Sequence, residues 1–323
     1  MRRMALPLFA LMLPVPAMAQ QFPLTVAHKF GTTVIETVPA KVASLDYGGI
    51  DNLLAVGVSP VAVREWRTQD GYAFTAGPWS ETLRTTDPVI LTDDIDFEAL
   101  VLADPDVIVA VYSGIDQATY DKLSLIAPVV AVPEGVEDYS LSWQDRALWA
   151  ARATGHEDQA VAQIASIDAQ IAAIAAAHPD WAGKSAVIGG VYESKPWAYT
   201  PLDGRAGLLA SLGFISPPAV AKATALGEFY VEYSAEDLTN IDADLLVYYD
   251  TTEEAAVTLA GTWRQFLRAP TTGAEIVLGQ TNVSALAHLS LLSLPAFLTN
   301  LEPMIVAALD GDPTTHADQR PKN

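Results

Sequence analysis

The sequence predicts an α/β protein of two lobes, each built on a mostly parallel sheet, joined by one long helix. Three observations carry this. Short, uniformly apolar strands alternate with helices in both halves of the chain, the pattern of parallel strands covered on both faces. An unbroken helical stripe of 21 residues, Glu157–Ala177, separates the halves. One local pattern also occurs twice, at matching places. Glu98-Ala-Leu100 precedes Asp104-Pro-Asp106-Val-Ile-Val109, and Glu236-Asp-Leu238 precedes Asp242-Ala-Asp244-Leu-Leu-Val247. Each copy reads as a short helix feeding a buried strand.

The elements follow in order. Arg2 and Arg3 precede the apolar run Met4–Val15, and Ala17-Met18-Ala19 gives small residues at the cleavage positions. Residues 1–19 are therefore expected to be a secretory signal peptide, cut after Ala19. No Cys stands there to carry a lipid anchor, and three prolines argue against a buried helix. Lys41–Leu45 reads as a strand. Gly48-Gly49 then allows a sharp turn into a helix over Ile50–Ala55, closed by Gly57. Pro60–Val63, Asp106–Val111 and Pro128–Val132 are further strands, with a helix over Asp116–Ile126. A helix over Leu141–Ala153 ends at Gly155. In the long helix, Val161, Ile164, Ile167, Ile171 and Ile174 keep one face apolar. Its length is about 31 Å, and Pro179 ends it. The α/β pattern then restarts with a strand over Ser185–Tyr192, a helix over Arg205–Leu212 and strands over Asp244–Tyr249 and Ala274–Leu278. A last helix covers Pro295–Leu309. The expected divisions are a first lobe over 41–156, a bridging helix over 157–178, a second lobe over 179–309 and a frayed tail over 310–323.

Composition removes several classes of function. The 323 residues include 39 Asp and Glu, 18 Lys and Arg and no Cys, for a formal charge of −21. Nucleic-acid binders neutralise phosphates with basic residues, so no nucleic-acid partner is expected. Docking on an anionic membrane surface is disfavoured for the same reason, and beyond the signal segment no uninterrupted apolar run is long enough for a membrane helix. Without Cys there is no disulfide, iron–sulfur or thiolate-zinc site. No nucleophile elbow, phosphate-binding loop or dinucleotide fingerprint occurs. The five His, at 28, 156, 178, 288 and 316, include no pair at metal-ligand spacing. His178 reads as a helix-end cation and His288 as a core residue. Asp93, Asp94 and Asp96 read as a loop and helix start. Catalytic residues, a metal site and a cofactor are accordingly not assigned.

Aromatic and basic residues gather where strands end. Arg64, Trp66, Arg67, Tyr72, Phe74 and Trp79 follow the strand ending at Val63. Tyr112 and Ser113 follow Val111. Tyr192, Lys195, Trp197 and Tyr199 follow the first strand of the second half, and Tyr248 and Tyr249 follow Val247. Ligands of open α/β sheets bind outside the carboxyl ends of the strands. Aromatic rings offer broad contact and cation–π capacity, and arginine a fixed fork for anionic oxygens. The expected ligand-binding residues are Arg64, Trp66, Arg67, Tyr72, Trp79, Tyr112, Ser113, Tyr192, Lys195, Trp197, Tyr199 and Tyr249.

This organisation resembles the periplasmic substrate-binding proteins of ABC importers for iron–siderophores and cobalamin. The resemblance runs from about Lys41 to Leu309. It rests on Val42–Gly57, on Phe97-Glu98 through Val109, on Tyr120–Pro128 and on Leu212-Gly213-Phe214. It implies two Rossmann-like lobes bridged by a single long helix, with a ligand cleft between them and modest closure. It also implies a ferric siderophore as ligand, and Glu98 and Glu236 as the residues that dock the lobes on an inner-membrane permease dimer. The siderophore branch fits better than the cobalamin branch because Arg64 and Arg67 stand beside Trp66 and Trp79. Haem or cobalamin is the alternative ligand, with a cleft residue such as Tyr72 as an axial group for haem. A monomer in the periplasm, not inserted in the membrane, is expected.

Overall fold

The computed structural model describes residues 21–66, 77–92, 95–192, 195–233, 241–249, 266–315 and 317–318. Leu24–His28 (β1) and Gly31–Ile35 (β2) form an antiparallel hairpin that the sequence reading left unassigned. The Thr33 hydroxyl donates to the Val129 carbonyl at 2.7 Å and fixes the hairpin to the first lobe.

That lobe follows from alternation. Its elements are Val42–Ser44 (β3), Gly49–Ala55 (α1), Ala62–Arg64 (β4), Val89–Leu91 (β5), Phe97–Ala103 (α2), Val107–Ala110 (β6), Gln117–Leu123 (α3) and Val129–Ala131 (β7). The strands pair in the order β5-β4-β3-β6-β7, all parallel. Every residue of β3, β6 and β7 is buried, as strands covered on both faces must be. The order reverses between β3 and β6, so the loops leaving these two strands open a crevice at their carboxyl ends.

Trp143–Ala153 (α4) leads through Gly155 into Glu157–Ala177 (α5), whose bounds are those read from the sequence. Ile167, Ile171 and Ile174 of the stripe are buried in the core of the second lobe. Val161, the first residue of the expected stripe, is exposed, because the packed face begins at its neighbour Ala160, which is fully buried and about 100° around the helix from it. By length and composition alone α5 could cross a membrane; here its buried face packs on protein.

The second lobe comprises Ala186–Tyr192 (β8), Lys195–Tyr199 (β9), Gly204–Ser211 (α6), Pro218–Ala225 (α7), Tyr230–Glu232 (β10), Leu245–Tyr248 (β11), Arg268–Thr272 (α8), Glu275–Val277 (β12), Gln280–His288 (α9), Ser293–Ala308 (α10) and Ala317–Asp318 (β13). Its sheet runs β10-β9-β8-β11-β12-β13. Strands β8, β11, β12 and β13 are parallel, while β9 and β10 fold back antiparallel. Two departures from the sequence reading stand out. The aromatic segment after β8, read as a loop, is itself strand β9. The tail expected to fray contributes β13, which pairs with the edge of β12 and covers backbone groups that would otherwise lie open.

The repeated motif has one structural meaning in both lobes. Asp106 Oδ2 accepts from the backbone N–H groups of Ala40 and Lys41, both at 2.8 Å, just before β3. Asp244 Oδ2 accepts from the N–H and hydroxyl of Ser185, also at 2.8 Å, just before β8. Each aspartate thus ties the start of its own strand to the start of the parallel neighbour. The lobes are joined beside α5 as well. Asp51 in the first turn of α1 accepts from the Trp79 indole N–H at 2.6 Å and the Ser290 hydroxyl at 2.7 Å. Its neighbour Asn52 accepts from the Leu291 N–H at 3.1 Å.

Candidate ligand-binding site

The crevice of the first lobe is built by two glycine-dependent turns. Gly48, at φ 69°, lies against the Trp66 and His288 rings, where a Cβ would stand 3.0 Å from Trp66. Gly114, at φ 63°, leaves the space that the Tyr139 hydroxyl fills. Both backbones need the left-handed region, which a side chain would strain. The result is a wall of rings. Tyr47 lies 6.2 Å from Trp66 and 6.0 Å from Tyr139, and Tyr139 meets Tyr112 edge-on at 5.2 Å. His288 joins Trp66 and Trp79 at 4.7 and 5.3 Å.

Three arginines stack on tyrosines around this crevice. The Arg64 guanidinium lies 4.3 Å from the Tyr47 centroid, and its Nη1 donates to the Ser113 carbonyl at 2.8 Å. Arg146, buried on α4, lies 4.4 Å from Tyr112 and donates to the carbonyls of His288 and Leu289 at 3.4 and 3.1 Å. Arg205, in the first turn of α6, lies 4.0 Å from Tyr199 and 5.3 Å from Tyr249. Its Nε and Nη2 donate to the two oxygens of Asp203 at 2.7 and 2.6 Å. The Nε atoms of Arg64 and Arg146 are buried without a hydrogen-bond partner.

Burial and charge set the electrostatics. Burial opposes the charge on Arg205, but its hydrogen bonds to Asp203 hold it above the ordinary arginine value. Burial lowers Arg146 and pushes Tyr199 up to about 12. Asp46, whose Oδ1 accepts the Tyr112 N–H at 2.7 Å, is pushed up to about 6 by burial, against the pull of that hydrogen bond and of Arg146. The protonated form of Asp46 therefore favours the fold. Its contribution is complete below the unfolded value of 3.8 and is lost as pH rises through about 6. Relative to Asp46→Asn, the native chain is expected to lose roughly 3 kcal/mol of stability across that window. Urea unfolding at a series of pH values checks this; parallel profiles for the two proteins would refute it.

A cavity of about 980 Å³ opens between the lobes. Tyr112, Tyr139 and Arg146 line it from the first lobe, Asp168 and Ile171 from α5, and Asp203, Arg205 and Phe229 from the second. Of the residues singled out in the sequence, Tyr112 lies on this wall. Arg64, Trp66 and Ser113 belong to the adjoining ring cluster. Tyr199 and Tyr249 lie behind Arg205, and Trp197 packs edge-on against Tyr199 at 4.8 Å. Trp79 sits at the α1 contact with Asp51, and Lys195 is exposed at the start of β9. Tyr192 ends β8. Arg67, Tyr72 and Glu236 lie outside the described residues. Among the described residues no three His, Asp or Glu side chains converge as metal ligands. Sequence reasoning passed over Tyr47, Tyr139 and Arg146, and took Arg205 only as the start of a helix. The strand-end rule, applied after β3 and β7, marks Tyr47 and Tyr139; Arg146 inside a helix carries no such signal.

Residues 42–262 match a family model described as a periplasmic binding protein. The ferric enterobactin-binding periplasmic protein FepB of Escherichia coli O6:H1 is 29% identical over 161 residues, 48% of this chain and 49% of that protein. The match thus spans about half the length of this curated relative. Among solved structures, a periplasmic solute binding protein from Mycobacterium smegmatis superposes with a TM-score of 0.78 at 30% identity, over 88% of this chain and 98% of that one. PiaA of Streptococcus pneumoniae in complex with ferrichrome superposes with a TM-score of 0.71 at 26% identity, over 89% and 99%. SirA of Staphylococcus aureus complexed with staphyloferrin B shares the fold, with a TM-score of 0.67 at 21% identity over 90% and 100%.

Proposed function

The chain belongs to the periplasmic binding protein family, and on that premise we propose that it captures a ferric siderophore between its lobes and delivers it to the permease dimer of an ABC importer. The observation that carries this reading is the interlobe cavity of about 980 Å³, walled by guanidiniums of both lobes that rest on tyrosine rings. Such a wall offers broad ring faces and fixed donors to a rigid chelate with oxygen atoms at its rim. FepB, named for ferric enterobactin, and PiaA, solved with ferrichrome, support it. In this reading the protein is a binder without catalysis or cofactor, a monomer in the periplasm once residues 1–19 are removed. Its contacts combine the residues singled out in the sequence with Tyr47, Tyr139, Arg146 and Arg205. Glu98, exposed in the first turn of α2, and Glu236 meet basic pockets of the permease.

Intrinsic fluorescence tests the ligand, since seven Trp are available as reporters. Saturable quenching by ferric siderophores, with none by haem or cobalamin, is expected; a response confined to haem or cobalamin would refute the reading. Arg64→Ala and Arg67→Ala are each expected to weaken binding about tenfold or more, the loss of a charge-assisted contact. Thermal unfolding should stay close to that of the native chain. Native affinity in both variants would remove these two residues from the site.

A further inference from the structure

The charge on the cavity wall restricts the ligand further than its size does. Five ionisable aspartate and arginine side chains line the cavity: Asp138, Asp168, Asp203, Arg146 and Arg205. Carboxylates outnumber guanidiniums. Asp138 is paired with Lys29 at 2.6 Å. Arg205 is engaged by both oxygens of Asp203. Arg146 already donates to two backbone carbonyls and faces Asp46, which above pH 6 adds another negative charge. Asp168 is exposed on α5 and is a free negative charge on the wall. Arg64, in the adjoining ring cluster, supplies one more cation and already donates to the Ser113 carbonyl. A multiply charged anion would meet a wall with no surplus of cations, inside a chain of formal charge −21.

We propose that the cleft selects a ferric chelate of zero or near-zero net charge, of the tris-hydroxamate class, and discriminates against the tris-catecholate class. Three singly charged hydroxamates neutralise the ferric ion, whereas three doubly charged catecholates leave a trianion. This rests on the siderophore reading above. A neutral chelate matches the wall on its own terms. Its carbonyl oxygens accept from guanidiniums whose charge is balanced locally, and its apolar arms lie on Tyr112, Tyr139 and Phe229. A trianion would be desolvated beside Asp168 and Asp203, and like charges brought together oppose binding strongly.

The test uses the mature protein and two ferric complexes, one of a trihydroxamate and one of a tricatecholate built on the same scaffold. Both are titrated by tryptophan quenching at pH 7.5 or thereabouts and at two salt concentrations. The trihydroxamate complex is expected to bind at least about 100-fold more tightly. Its affinity should change less than about twofold with salt, since a neutral ligand feels little screening. Asp168→Lys, which adds two units of positive charge to the wall, should narrow the difference roughly tenfold. Equal or tighter binding of the tricatecholate complex to the native protein overturns the proposal while leaving the siderophore reading intact. Failure of both complexes, and of every other ferric siderophore, overturns the siderophore reading and this proposal with it.

Discussion

Glu98→Lys is expected to abolish ligand uptake through the cognate permease and to leave ligand capture close to normal, and Glu236→Lys to do the same. Glu98 is exposed, while Leu100, two residues on, is fully buried and fixes the helix against its sheet. Asp96 caps that helix by accepting the Ala99 N–H at 2.9 Å, so the orientation of its first turn is set locally. Glu236 is its counterpart in the repeat, whose later aspartates, Asp106 and Asp244, hold equivalent strand starts in the two lobes. Docking by two fixed charges sets register and encounter rate, and the diffuse charge of the chain cannot replace it. Transport of iron into cells carrying each variant should fall at least about tenfold, with unchanged fluorescence titrations. Full uptake by both variants would reduce these glutamates to helix-start acids.

Asp51→Ala is expected to destabilise the protein by about 3 kcal/mol. Asp51 is fully buried, and its Oδ2 accepts from Trp79 and from Ser290 across the contact between α1 and the turn before α10. Removing the carboxylate takes one acceptor from two buried donors at once, and leaves a cavity besides. Its second oxygen has no hydrogen-bond partner, so Asp51→Asn, which keeps an acceptor for both donors, should cost less than half as much. Thermal and urea unfolding of the two variants check the order. A silent Asp51→Ala would show that these two hydrogen bonds add nothing to the stability of the lobe contact.

Much of the architecture was legible because burial repeats along the chain. Strands apolar at every position, such as Val107–Ala110, and the stripe of α5 announce themselves. The repeat around Asp106 and Asp244 marked two similar lobes, and the structure adds the reason those aspartates recur. Elements that escaped have weaker local signals. The β1–β2 hairpin has mixed burial, and β5 is three residues long. Strand β9 holds a proline and reads as a loop until its pairing with β8 is seen. At the site, residues just after strands were legible from the rule that ligands meet strand ends. Arg146 and Arg205 belong to helices, and only the packing of the lobes brings them to the same cavity. Tyr139 reaches the crevice through the space left by Gly114, a relation between two loops that no linear pattern records.

The most direct test is a crystal structure of the mature protein with a ferric siderophore, with anomalous scattering recorded at the iron edge. One iron peak per chain is expected in the interlobe cavity, with the chelate touching Tyr112 or Tyr139 on one side and Arg205 on the other. Iron bound elsewhere on the chain, or a cavity still empty at saturating chelate, would contradict capture between the lobes.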